Sequence, residues 1–200
     1  MKHLIILLAC LAGSLQLSAQ TTWKNPMNED FHVVRGQAWQ SELKGTYQRF
    51  PQKAEALVRK PAWDLSRHSA GQSIAFRSDA PQIKIRYQVS GYLNMPHMPS
   101  TGVSGVDMYA TDINGNRHWC SARYAFRDTI TYTYNKLSYG QSAAHGFEFE
   151  VYLPLYNDVK WLKWVYLKVT NCNSFRLHKK SRLYSTVLPL LKGPALPVRA

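Results

Sequence analysis

Phe147, Phe149, Val151 and Leu153 fall on every second position, and Glu148, Glu150 and Tyr152 stand between them. A side-chain period of two is that of a strand with one face in a core and the other in water. Ile74 and Phe76, and then Ile83, Ile85, Tyr87 and Val89, repeat the pattern, with Ser78-Asp79-Ala80-Pro81 as a turn between them. Val103 to Ala110 reads as another strand. It leads into Asp112-Ile113-Asn114-Gly115, where Asn-Gly supplies the positive φ angles of a tight hairpin. The Thr-, Tyr- and Ile-rich run Tyr124 to Tyr134 reads as one or two strands, and another starts over Val159 to Leu162. Many short strands with turn signals and little helical periodicity predict an all-β fold, an antiparallel β-sandwich. Before them the chain is mixed. Trp39, Tyr47, Phe50 and Leu57-Val58 are candidate core anchors there, and Gln52 to Leu57 is one helical turn bounded by Pro51 and Pro61.

The ends of the chain read differently. Met1-Lys2-His3 followed by Leu4-Ile5-Ile6-Leu7-Leu8 has the basic and apolar parts of a secretory signal, with cleavage expected near Ala19 or Gln20. Lipoprotein processing at Cys10 is the less favoured alternative. The apolar run is too short to span a membrane, and no later segment could. Residues 1–19 are thus expected to be removed from a secreted or periplasmic protein. That leaves Cys120 and Cys172, which we read as unpaired although the compartment permits a disulfide. No Cys/His spacing suits zinc, and no cofactor is implied.

A formal charge of +13 invites a nucleic-acid partner. Its distribution argues otherwise. Residues 163–200 hold 8 Lys/Arg and no acid, whereas the preceding residues hold 17 basic against 12 acidic, a balance of only +5. The basicity belongs to the tail, and no specific nucleic-acid binding is expected.

Three blocks carry a family resemblance. Gly105-Val106-Asp107-Met108-Tyr109 resembles the Gly-x-Asp-Leu-Tyr signature of the N-terminal domain that precedes SGNH-hydrolase-type esterases, with Met108 in the Leu position. Trp63-Asp64-Leu65-Ser66-Arg67-His68-Ser69-Ala70-Gly71 and Val151-Tyr152-Leu153-Pro154-Leu155-Tyr156 are similar to two further blocks of that family, in the same order. The resemblance covers roughly residues 23–162 and implies a jelly-roll-like sandwich over a domain spanning 20–162. It also implies an SGNH hydrolase domain in cis and an acyl ester, esters on glycans included, as the substrate of the intact relative.

Four residues stand out as ligand-binding or interdomain candidates. Asp107 lies in a strand, where Asp is disfavoured, and shares a face with Tyr109. A half-buried Asp satisfied by loop amides is the favoured reading, ligand contact the alternative. Trp63 is a core anchor in preference to a sugar platform. His97, in Met95-Pro96-His97-Met98-Pro99, sits in a shaped loop that would either border a neighbouring active site or pack between domains. Glu148 and Glu150 have the look of a carboxylate pair, but a solvated strand face accounts for them better.

The serine nucleophile of an SGNH enzyme needs a His and an orienting Asp. In the resembling family that serine lies in a Tyr-Gly-x-Ser-Ile block, which this chain lacks. Residues 163–200 can be read as an out-of-frame translation. Shifted codons for Ser185 to Ala200 allow a Tyr-Gly-Thr-Ser-Ile block, and one lost base near Leu162 accounts for the pattern. The alternating start Trp161 to Tyr166 can still pair as a strand, and the remainder is then a poorly packed extension. The chain by itself is expected to be a non-catalytic ancillary domain with no catalytic residue, and an autonomous glycan-binding module is the alternative.

Overall fold

The computed structural model describes residues 23–28, 33–137 and 147–166. Two antiparallel sheets enclose one core. The first has the order β1 (Val34–Arg35), β2 (Ser73–Ser78), β8 (Phe147–Tyr152), β4 (Asp107–Thr111), β5 (Arg117–Cys120). The second has the order β6 (Ala122–Ala125), β7 (Ile130–Asn135), β3 (Gln82–Val89), β9 (Val159–Tyr166). The expected all-β fold in two antiparallel sheets is what the chain adopts. The expected signal segment, residues 1–19, and Cys172 lie outside the described residues.

Alternation sets the layers. Ile83, Ile85 and Tyr87 of β3, and Phe147, Phe149 and Val151 of β8, are each no more than 2% exposed, while the residues between them are half-buried. A slip of one residue would turn each set outward, so burial pins the register. The sheets meet through a stack of rings. Phe76 of β2 lies 5.6 Å from Phe149 in its own sheet and 5.5 Å from Trp164 of β9 in the other.

β9 runs past the expected edge at residue 162. Residues 163–166 complete its pairing with β3, and Trp164 is 1% exposed, with no hydrogen-bond partner for its indole N–H. A large ring that fits the core outweighs one orphaned donor, since its buried area stabilises by more than the roughly 1–3 kcal/mol the donor costs. The rest of the expected tail, 167–200, lies outside the described residues.

Two segments depart from the reading. Val103 and Ser104 belong to a short helix, α2 (Ser100–Ser104), and the strand starts at Asp107. Pro99 enters this turn with φ −67°, and its carbonyl accepts from the Gly102 and Val103 N–H groups. Upstream, Gln52–Ala54 forms the expected tight turn, but Pro61 opens a helix, α1 (Lys60–Ser66), and does not close one. Proline's fixed φ suits a first helical turn, where its missing N–H is not needed. Tyr47 is a core residue as expected, whereas Leu57 is 80% exposed and Trp39 is 40% exposed.

Burial pushes the hydroxyls of Tyr47, Tyr87 and Tyr134 well above the ordinary tyrosine range, and that of Tyr132 up to about 12. These rings fit the fold neutral. Their stabilisation is complete below the unfolded value near 10 and is lost as pH rises through the folded values. Raising pH past about 10 should therefore unfold the chain cooperatively, with tyrosinate absorbance and loss of near-ultraviolet dichroism coinciding. Complete tyrosine ionisation near pH 10 with the dichroism retained would contradict this burial.

Candidate functional site

β4 sends Met108 and Ala110 into the core, both fully buried, and turns Asp107 and Tyr109 to the outer face of the first sheet. Pairing fixes their neighbours. Asp107 lies opposite Tyr152 of β8, and Tyr109 lies between Glu150 of β8 and Trp119 of β5.

Arg117 of β5 organises this face. Its guanidinium lies 4.4 Å from the Tyr109 ring centre and 5.3 Å from that of Tyr152. Its Nη2 donates to Glu150 Oε2 at 3.0 Å and to the Tyr152 hydroxyl at 2.8 Å. That hydroxyl donates to Glu150 Oε2 at 3.0 Å, and Ser73 Oγ donates to Glu150 Oε1 at 2.8 Å. The Tyr152 hydrogen bond, followed by the attraction of its neighbours, holds the Arg117 pKa above its usual range. Tyr109 and Tyr152 meet edge to face at 6.0 Å.

A groove of about 480 Å³ opens over these residues, lined by Asp107, Tyr109, Arg117 and Tyr152, by Leu155, and by the Gly102 and Gly105 backbone. A second depression of about 230 Å³ adjoins it and shares Thr101 and Asp107 with it. Trp119 and Tyr124 line the second depression and are more than half exposed. The Trp119 indole N–H donates to Asp107 Oδ1 at 3.3 Å.

Of the four residues singled out in sequence, Asp107 and Tyr109 come together here. Asp107 is exposed, contrary to the half-buried Asp satisfied by loop amides. The outer face of β4 has no covering layer at that point, and an indole is the donor that meets its carboxylate. Trp63 is buried on α1 with Arg67 over its ring at 4.6 Å, and it does not line the groove. His97 is exposed in the turn where Met95 and Met98 exchange backbone hydrogen bonds at 3.0 and 3.1 Å, and it does not line the groove either. Glu148 and Glu150 both face outward, bound to Arg35 and Arg117. Arg117, Trp119 and Tyr152 were missed. Cross-strand pairing unites them, and only the hairpin register of Asn114-Gly115 hinted at it.

The Ser66, Ser69 and Ser104 hydroxyls donate to backbone carbonyls, and those of Ser73 and Ser90 donate to carboxylates. None of these hydroxyl bonds goes to a histidine. Among the described residues no three His, Cys, Asp or Glu side chains gather as a metal site, and no helix is long and apolar enough to cross a membrane.

The chain is similar in fold to a solved structure from Bacteroides ovatus described as a GDSL-like lipase. The TM-score is 0.61 at 19% identity, over 74% of this chain and 41% of that one. The chain thus spans less than half the length of that structure. No curated protein matches it. The profile of the GxDLY N-terminus of SGNH-hydro-type esterases matches residues 21–170, three quarters of the chain and all the strands above, so the chain belongs to this family.

Proposed function

We propose that this sandwich is the non-catalytic, ancillary half of a secreted or periplasmic SGNH-type ester hydrolase that acts on acyl esters carried by carbohydrate. The catalytic triad belongs to a hydrolase domain in cis. The observation that carries this reading is the family match over the whole sandwich, in a chain whose match covers 41% of the related structure. The bonding of Ser66, Ser69 and Ser104 supports it, because hydroxyls committed to backbone carbonyls are not activated nucleophiles. Residues 1–19 act as the export signal. The basic segment that follows β9 arises from a shifted frame, and restoring one base near its start should open a Gly-Thr-Ser-Ile block in the gene.

The activity test uses the purified 200-residue chain with p-nitrophenyl acetate and an acetylated oligosaccharide. Neither should be hydrolysed faster than in buffer. Turnover abolished by any single Ser→Ala change would place a nucleophile within these residues and sink the proposal.

A further inference from the structure

The groove on the outer face of β4, β5 and β8, and the depression beside it that β6 and β7 also line, carry side chains specific enough to name a ligand. Together they form one continuous trough through Thr101 and Asp107. Each alone is comparable to or smaller than an ordinary small-ligand site of roughly 300–1,000 Å³. We propose that this trough binds a neutral oligosaccharide. A sugar ring stacks on the exposed Trp119 indole, and the Asp107 carboxylate and Arg117 guanidinium take its hydroxyls. The inference deepens the ancillary role by giving the sandwich its own ligand, and it rests on that role for its biological meaning only.

Charge disfavours the other ligand classes. Asp107 and Arg117 are the charged residues that line the trough, and Glu150, outside the lining, already holds the Arg117 guanidinium. A phosphate or uronate would meet a paired cation and, beside it, the Asp107 carboxylate. An acyl chain would cover the exposed Asp107 carboxylate with hydrocarbon, and a carboxylate deprived of water and partners is costly. A polyol avoids both penalties. Its hydroxyls replace water on Asp107, and its C–H face covers an aromatic ring that is 58% exposed in Trp119.

The trough is also held in shape before any ligand arrives. Arg117 is fixed by Glu150 and by the Tyr152 hydroxyl over two tyrosine rings, so little side-chain freedom remains to be lost on binding. Its place in the fold points the same way. Asp107 pairs with Tyr152, which pairs with Ser73 at the start of β2. Tyr166, at the end of β9, pairs with Ile83 beside the opposite end of β2. The part of the trough over Asp107 and Tyr152 therefore lies by the start of β2, opposite to the end beside which β9 finishes.

Titration of the full chain with xylohexaose, cellohexaose and mannohexaose, followed by tryptophan fluorescence and by the Trp119 indole resonance, tests the proposal. At least one of the three should bind with micromolar to millimolar affinity, and hexagalacturonate should not. Trp119→Ala and Asp107→Asn should each weaken binding about tenfold or more with the melting temperature unchanged, because both side chains are exposed. Trp63→Phe, remote from the trough, should leave binding intact. The proposal is overturned if none of the three neutral probes binds, if galacturonate is preferred, or if Trp119→Ala binds as well as the parent. Competition for the trough by a separately produced SGNH hydrolase domain would also overturn it, since the trough would then be that domain's seat. These results are independent of the esterase assay, so either reading can fail alone.

Discussion

Gly105→Ala is expected to destabilise the fold by about 3 kcal/mol, the upper part of the range for forcing atoms into a packed site. At φ −77° and ψ 164° the backbone of Gly105 would suit any residue, so the constraint is space and not conformation. A Cβ there would lie 2.2 Å from the Thr101 carbonyl oxygen and 2.8 Å from the Tyr132 hydroxyl. The hydroxyl can turn aside, but the carbonyl belongs to α2 and cannot move without it. Displacing α2 disturbs Ser104, whose carbonyl accepts from Tyr87 at 2.6 Å and whose hydroxyl holds the Leu93 carbonyl at 2.9 Å. It also shifts Thr101 and Gly102 in the groove wall. Urea unfolding measures the loss, and a change within about 0.5 kcal/mol would refute the steric account. The glycine of the family signature is thus explained by an approach of two backbone segments.

Asn157→Ala should cost a similar amount, about 3 kcal/mol, by a different route. The side chain is 2% exposed and joins four groups from three segments. Its Oδ1 accepts from the Gly91 and Asp158 N–H groups at 2.8 and 3.0 Å. Its Nδ2 donates to the Tyr92 carbonyl and to Ser104 Oγ, both at 2.9 Å. Alanine leaves these groups short of partners, and the buried ones bear the larger penalty. Asn157→Asp keeps both acceptor contacts but removes both donors, so it should recover little. Hydrogen exchange offers a local check. The Gly91 amide should lose protection first, and with it the loop that presents His97. Unchanged protection there would mean that the loop is held by its own Met95–Met98 turn.

Much of the fold was legible because its central strands are covered on one side only. β3 and β8 alternate cleanly between core and water, and the Asn114-Gly115 turn declares itself, with Gly115 at φ +84° and its N–H donating to the Asp112 carbonyl at 3.1 Å. β5 and β6 carry mostly exposed residues on both faces, so no pattern marks them. α2 was hidden because Val103 within it and Val106 just after it are both apolar and buried, as they would be in a longer strand. The site divided in the same way. Asp107 and Tyr109 are two residues apart on one strand and could be paired from sequence. Arg117, Trp119 and Tyr152 reach them only through register, which depends on what the far sheet buries.

The one contact between Lys24 and Trp164 has a consequence for how this protein behaves among its own kind. β9 is the outermost strand of its sheet, and the run Trp161 to Tyr166 is apolar and rich in β-forming residues, the composition that recruits another chain edge to edge. Lys24 exchanges both backbone hydrogen bonds with Trp164, at 2.8 and 3.0 Å, and Trp23 lies under Arg86 at 3.8 Å. Lys160 and Lys163 stand exposed along the same strand. A few residues near the start of the sandwich thus occupy the strand's bonding groups where it is most apolar, and two lysines make the remainder an unwelcoming template. Solubility in this fold is guarded at its margin rather than in its core.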